Sequence, residues 1–339
     1  VVDPGWLRAS VALFMEDPSV TAVTGLVVPH ELETDAQNAF EDHRGFANDF
    51  ARSWYRVDRA AGERAAAAHG AAGKFGTGAN MAYRTRVFRE IGGFDPALDV
   101  GTATRGGGDL EMFFRVLKEG HTLVREPSAV VRHRHRRSYP ELRRQLSTWG
   151  VGMQSYIVRS WLAYPDERVG LAWLALRWTL LRNARRLARS LRGSTLRREL
   201  VWDEMKYGPL APLRYRQARR RVRELEGAFG PSPVAVSGTG RAGAARRHRG
   251  SPVARRMDLV DGVGPLTDVA DASSVTVEVY WAGEPLGTVS LAPRGAPICA
   301  SRLRDAMVER CGERLVGAAG LSVGALRAAL EARWEGCRT

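Results

Sequence analysis

Cysteine is scarce: Cys299, Cys311 and Cys337 are the only three in 339 residues, and no two of them share a CxxC spacing. That excludes a zinc ribbon and a disulfide framework, and it sets a reducing compartment as the expectation. Long apolar runs are also missing. The longest, Gly170 to Leu176, stops at Arg177, well short of the ~20 residues a spanning helix needs. The opening stretch, Val1 to Trp6, has neither the charged start nor the apolar stretch of a secretory leader. Acidic residues are short in one region only. Residues 132–256 hold 8 Asp/Glu against 29 Lys/Arg, a local +21 that exceeds the whole-chain total of +14. Residues 1–131 (14 basic, 18 acidic) and 257–339 (8 basic, 11 acidic) are mildly acidic. A basic block between two acidic parts offers a face to an anionic partner such as membrane headgroups or a phosphorylated substrate. Its bland alternative is a solvated arginine-rich helix surface. The arginines lack interleaved aromatic platforms and any reader motif, so nucleic acid is not expected as a partner.

What is present follows an α/β rhythm. After the Asp3-Pro4-Gly5 turn, Trp6, Leu7, Val11 and Phe14 stand at helical spacing, and the β-branched run from Ser19 to Pro29 reads as a buried strand. Helix followed by apolar strand is the pattern of a largely parallel sheet. Residues 36–69 read as helical, with Phe40, Phe46, Phe50, Trp54 and Tyr55 as core packing. Gly70, Gly73, Gly76 and Gly78 then break any regular element. A short strand from Asn80 to Tyr83 follows, with a helix ending at Gly92 and Gly93. A flexible loop, residues 99–108, leads to a second helix from Asp109 to Gly120 and two short strands around Pro127.

Candidate chemistry gathers between Gly73 and Arg136. Asp109 at a helix start can serve as an N-cap, which is its structural explanation. That explanation leaves Glu111 and the glycine-rich approach unaccounted for. Alternation along Arg132 to His135 puts His133 and His135 on one face of a strand, which fits a metal or phosphate site and fits structural histidines equally well.

In this order, GTGANMAYRTRVFREIGGFD (residues 76–95) and GGGDLEMFFRVLKEGHTLVREPSAVVRHRHR (residues 106–136) resemble the acceptor-side half of a family 2 glycosyltransferase of the GT-A fold. Gly78, Ala79 and Asn80 match that family's glycine-asparagine loop, Gly92 to Asp95 its IGGFD phrase, and Gly108, Asp109 and Glu111 its acidic motif. Gly108 stands where a glutamate is common. The likeness covers about residues 1–230.

The resemblance implies an α/β fold: a partial GT-A domain (1–138), a basic helical extension (139–227), a disordered linker (228–256) and a small α/β accessory domain (257–339). It implies inverting, hexosyltransferase-type transfer from a nucleotide-diphospho-sugar to a glycan, lipid or other hydroxyl acceptor. Asp109 would be the general base, and Gly78, Asn80, Arg105 and Glu111 would bind the acceptor. His133, with His135 as second choice, would approach the donor diphosphate or a divalent metal, Mg or Mn. The metal belongs with an Asp-x-Asp motif expected just before Val1, for which Asp3 is not a convincing substitute. This chain alone is therefore expected to bind a nucleotide-sugar poorly and to be inactive. The competing reading is a non-enzymatic degenerate fragment whose basic helices bind membrane or a partner.

Downstream, Trp173, Leu176, Leu180, Ala184, Leu187 and Leu191 form an apolar stripe opposite Arg182, Arg185, Arg186 and Arg189. Such a helix can lie on an anionic membrane surface or pack on a partner, so the expected place is cytoplasmic and peripheral. Past the linker, alternating segments meet at Ala282, Gly283 and Glu284 as a hairpin, followed by two amphipathic helices and no catalytic cluster.

Overall fold

β-Branched and apolar residues build the centre of the first sheet. A computed structural model describes residues 1–43, 45–46, 50–57, 63–66, 72–191, 197–229, 250–293 and 295–318. The chain divides into two units, Val1–Ala244 and Ala245–Thr339.

In the first unit, helix α1 (Trp6–Glu16) feeds strand β1 (Val20–Pro29), whose first eight residues are all buried. Helix α2 (Asp35–His43) and strand β2 (Ser53–Tyr55) follow, then β3 (Met81–Tyr83), α3 (Thr85–Ile91), α4 (Gly108–Lys118) and β4 (Thr122–His133). The sheet order is β2-β4-β1-β3, with β1 and β4 parallel and the outer strands antiparallel to them. The expected helix over 36–69 is therefore corrected: it ends at His43, and Ser53–Tyr55 joins the sheet edge, where Trp54 packs on Leu13, Val20, Val23 and Val124. Strand pairing has overridden the helical spacing of those aromatics. The two short strands expected around Pro127 are one strand with an irregularity, since register passes from Gly25 opposite Glu126 directly to Leu26 opposite Val130.

That irregularity is filled by Asn80. Its Nδ2 donates to the carbonyls of Leu26 (2.9 Å) and Ala129 (2.7 Å), and its Oδ1 accepts from Trp6 Nε1 (2.7 Å). A side chain on Gly25 would collide there, its Cβ falling 2.0 Å from the Ala129 oxygen. One amide thus ties α1, β1, β3 and β4 together, satisfying backbone groups that the break in the ladder leaves over.

The helices after β4 share the sheet's core rather than standing apart. Helix α5 (Tyr139–Ala163), α6 (Arg168–Leu176) and α9 (Ala211–Phe229) contribute Met153, Tyr156, Ile157, Leu171, Tyr215, Ala218 and Val222 to the cluster holding Phe75, Met112, Phe113, Phe114 and Leu123. From Arg177 to Arg182 the helix after α6 takes π geometry before continuing as α7 (Asn183–Leu191), and α8 (Arg198–Met205) crosses α5. The crossing is close enough that a Cβ on Gly150 would meet the Glu204 carbonyl oxygen at 1.6 Å. Helix α9 runs to Phe229; residues 230–249, most of the expected linker, lie outside the described residues.

In the second unit, β5 (Val253–Asp258) pairs parallel to β6 (Val275–Trp281), which pairs antiparallel to β7 (Glu284–Leu291), and α10 (Ala300–Ala318) packs on them. The first strand starts at Val253, four residues ahead of the expected domain start at Met257. The β6–β7 turn has Ala282 (φ 51°) and Gly283 (φ 84°) both left-handed, the geometry that suits the twist of a two-residue hairpin. Asp258 holds it by accepting from the backbone N–H groups of Ala282 (3.0 Å) and Gly283 (2.7 Å), and these bonds keep its carboxyl below the usual carboxylate range. The last expected helix lies outside the described residues.

Because the α5–α8 approach leaves no room for a methyl group, Gly150→Ala should destabilise the first unit by about 3 kcal/mol or more. A fall in the urea midpoint monitored by tryptophan fluorescence would register this; an unchanged midpoint would show that the crossing is not tight.

Candidate active site

The approach to α4 is set by three successive left-handed residues, Arg105 (φ 61°), Gly106 (φ 130°) and Gly107 (φ 104°). Arginine pays about 1 kcal/mol for that conformation. The loop is nevertheless tied down, against the expectation of a flexible one. Thr104 Oγ1 donates to the Ala97 carbonyl (2.7 Å), Thr102 Oγ1 to those of Ala97 and Asp99, and the Arg105 N–H to the Thr102 carbonyl (3.1 Å). Gly107 abuts α5, where a Cβ would lie 2.4 Å from the Gly152 oxygen.

Gly107, not Asp109, occupies the N-cap position of α4, and Asp109 sits in the first turn. Its carboxylate accepts from the Gly78 N–H at 2.8 Å and from the Leu110 N–H at 2.9 Å. It stands at the positive end of the α4 helix dipole. Gly78 is exposed beside it, and a Cβ there would press on the Asp109 side chain at 3.2 Å. Gly78 thus positions Asp109 through its backbone.

Glu111 faces the other way. It is fully buried, accepting from Arg115 at 3.1 Å (Nε) and 2.5 Å (Nη2), with Arg159 of α5 in an ion pair at 3.0 Å. Arg159 also approaches Asp95 (3.8 Å), whose carboxylate accepts from Tyr215 Oη of α9 (2.7 Å) and lies 3.5 Å from Arg219. The expected acceptor-binding roles of Glu111 and Asn80 are therefore corrected. Both side chains are enclosed and spend their polar atoms on the framework.

The histidines separate. His133 is half-buried at the end of β4 and its ring meets Phe46 edge-on at 4.9 Å. His135 is buried, stacked obliquely on Phe40 at 4.6 Å with Nε2 2.8 Å from Glu41 Oε1, so the expectation that it faces a metal or diphosphate is corrected. The two Nδ1 atoms lie 3.3 Å apart. Burial and the neighbouring cations lower the pKa of His133. Among the described residues no three His, Cys, Asp or Glu side chains form a group able to hold a metal. The described residues therefore do not make a divalent-cation site by themselves.

Asp109, Arg105 and His133 open into one cleft of about 800 Å³. Its other walls are Lys74 and Thr77 of the glycine loop, inside the stretch where the chemistry was expected, and residues of elements assigned no part in the site: Arg144, Gln145, Thr148 and Trp149 of α5, and Trp178 and Arg182 of the π segment. The α5 residues are spaced along one helix face, a signal that was readable. Lys74, Arg105, Arg136, Arg144 and Arg182 face Asp109, Glu141 and Glu204. Glu204 is already engaged by Arg182 (3.2 Å), Arg186 (2.5 Å) and His43 (3.1 Å), and its pKa is strongly depressed. The cleft therefore carries surplus positive charge suited to an anionic ligand.

A family model described as Glycosyl transferase family group 2 matches residues 1–201, so the chain belongs to that family. Searches of curated proteins and of solved structures give no significant match. The mixed α/β unit is a GT-A-like nucleotide-sugar transferase domain, and glycosyl transfer between a nucleotide-sugar donor and an acceptor is its general chemistry.

The two carboxylates of the acidic motif should respond differently to neutralisation. Glu111→Gln leaves Arg115 and Arg159 buried with half their partner gone and should cost about 3 kcal/mol or more. Asp109→Asn, at a partly open position, should cost less than about 1 kcal/mol. Paired urea titrations check this, and equal losses would contradict the division of roles.

His43 and His133 both have folded-state pKa values below their ordinary 6.5, burial being the first cause in each. The unfolded chain therefore binds more protons below pH 6.5, and stability should fall as pH drops from there through the folded values. Thermal melts across that range provide the measurement; stability rising on acidification would refute it.

Proposed function

We propose that the chain contributes the base and acceptor side of an inverting transfer of a sugar from a nucleotide diphosphate to a hydroxyl group, with Asp109 as the general base. The observation that carries this reading is the Asp109 carboxylate. It is aimed by the Gly78 and Leu110 N–H groups at the wall of a cleft whose charge is otherwise mostly positive.

The acceptor oxygen attacks the anomeric carbon from the face opposite the diphosphate. As the new C–O bond forms, the bond to the diphosphate oxygen breaks and that oxygen leaves with the electron pair. The attacking hydroxyl becomes acidic only as the bond forms, so a carboxylate positioned beside it can take its proton in the transition state. Two N–H donors leave the remaining lone pairs of Asp109 for that proton and fix the carboxylate's direction beforehand. Arg105, Arg144 and Lys74, ranged along the same cleft, are there to compensate the charge that grows on the leaving diphosphate, and the His133 ring beside them can donate a hydrogen bond to it. The tied loop holds the Arg105 backbone in its left-handed conformation at the cleft.

Asp109→Asn should lower kcat by about 10²- to 10⁴-fold while leaving donor affinity largely intact. Turnover with a range of nucleotide-sugars, alongside calorimetric donor binding, tests the assignment. Unchanged turnover would remove Asp109 from the base role, and loss of donor affinity alone would move it to the binding side.

A further inference from the structure

The face carried by α6, the π segment and the start of α9 leaves large apolar side chains in solvent. Val169 is 86% exposed, Trp173 57%, Leu176 46% and Leu180 54%, and Leu213 on α9 is 67% exposed. Beside them lies an open groove of about 780 Å³, floored by Ile157, Val158, Ala172 and Ala175 and edged by Trp161 and Leu162. A monomer in water rarely presents so much apolar surface in one place without a use for it.

Charge on the groove's rim indicates what covers it. Arg216, Arg219 and Arg223 line the groove at helical spacing on α9. On the same helix Arg220 and Arg221 pair with Glu224, and Arg219 lies near Asp95, whereas Arg216 and Arg223 form no ion pair among the described residues. Arg168 stacks on Trp161 at 4.6 Å, joining a cation to an amphipathic ring at the groove's edge. Exposed tryptophans and aliphatics bordered by unpaired arginines match the boundary between acyl chains and anionic headgroups.

We infer that this face is a docking surface for an anionic phospholipid bilayer: Trp161, Trp173 and Leu180 enter the interface, and Arg216 and Arg223 meet lipid phosphates. It lies elsewhere than the arginine stripe singled out in the sequence. Arg186 of that stripe is buried against Glu204 and His43, and Arg182 belongs to the cleft. No helix among the described residues is long and apolar enough to cross a membrane, so the mode is attachment in the plane of the surface.

Flotation of the full chain with phosphatidylcholine vesicles, and with vesicles that also contain phosphatidylglycerol, tests this. The chain should float with the mixed vesicles at low salt and far less with phosphatidylcholine alone. Trp173→Gln with Leu180→Gln should lower partitioning by about tenfold or more, and Arg216→Gln with Arg223→Gln by about 30-fold. All four side chains are exposed, so urea midpoints should not move. Brominated acyl chains in the mixed vesicles should quench the wild-type tryptophan fluorescence, a readout independent of any substitution. Failure to float, flotation that ignores the substitutions, or absence of quenching would each overturn the inference. So would a self-association in sedimentation equilibrium that the same substitutions abolish without any vesicle binding, because the face would then belong to a second copy.

Discussion

Glu111 is the point on which the first unit turns. Its carboxylate lies in the interior between two guanidinium groups, Arg115 one turn along its own helix and Arg159 from α5, and Arg159 reaches on to Asp95 and so to Tyr215 of α9. Two carboxylates and two guanidinium groups from three parts of the chain thus meet in one buried group. The attraction within such a group offsets the cost of desolvation only while every member is present. This network fixes the start of α4 relative to α5 and α9. Asp109 stands two residues before Glu111 on that same helix, so the direction of the open carboxylate depends on the buried one.

A second polar joint does the same for the sheet. Asn80 occupies the break in the β1–β4 ladder and holds α1 through Trp6, while the loop just ahead of it presents the Gly78 N–H to Asp109. The glycine-asparagine loop and the acidic motif are thus two halves of one device. Each sends one residue into the framework, Asn80 and Glu111, while Gly78 holds through its N–H the Asp109 carboxylate that lines the cleft. Residues two apart in sequence divide structural and chemical work because the turn and the first helical turn point them in opposite directions.

Much of this was legible beforehand where local pattern and packing agree. The apolar run of β1, the helix from Trp6, the glycine-ended helix before Phe94 and the hairpin at Ala282 and Gly283 all form as their residues dictate. Residues 36–69 misled because aromatics at mixed helical spacings also suit a sheet edge, and only the partner strand β4 decides between them. Asn80, Glu111 and His135 looked like ligand-facing groups because polar residues in a glycine-rich stretch carry no mark of burial. What encloses them comes from distant sequence: the β1–β4 break, Arg159, and Phe40. The α5 wall, from Arg144 to Trp149, went unassigned because helices beyond β4 read as an addition, whereas they share its core.

The meeting of Gly107 with Gly152 has a bearing on how such a cleft can change. There the loop that delivers Arg105 rests on helix α5 backbone to backbone, with no side chain on either partner. A contact of that kind has nothing to trim or enlarge, so it fixes the separation of the two walls as a single value. Diversity in what the cleft admits must then arise at the positions one turn away, Arg144, Thr148 and Trp149, whose side chains can be exchanged while the hinge of bare backbone stays the same.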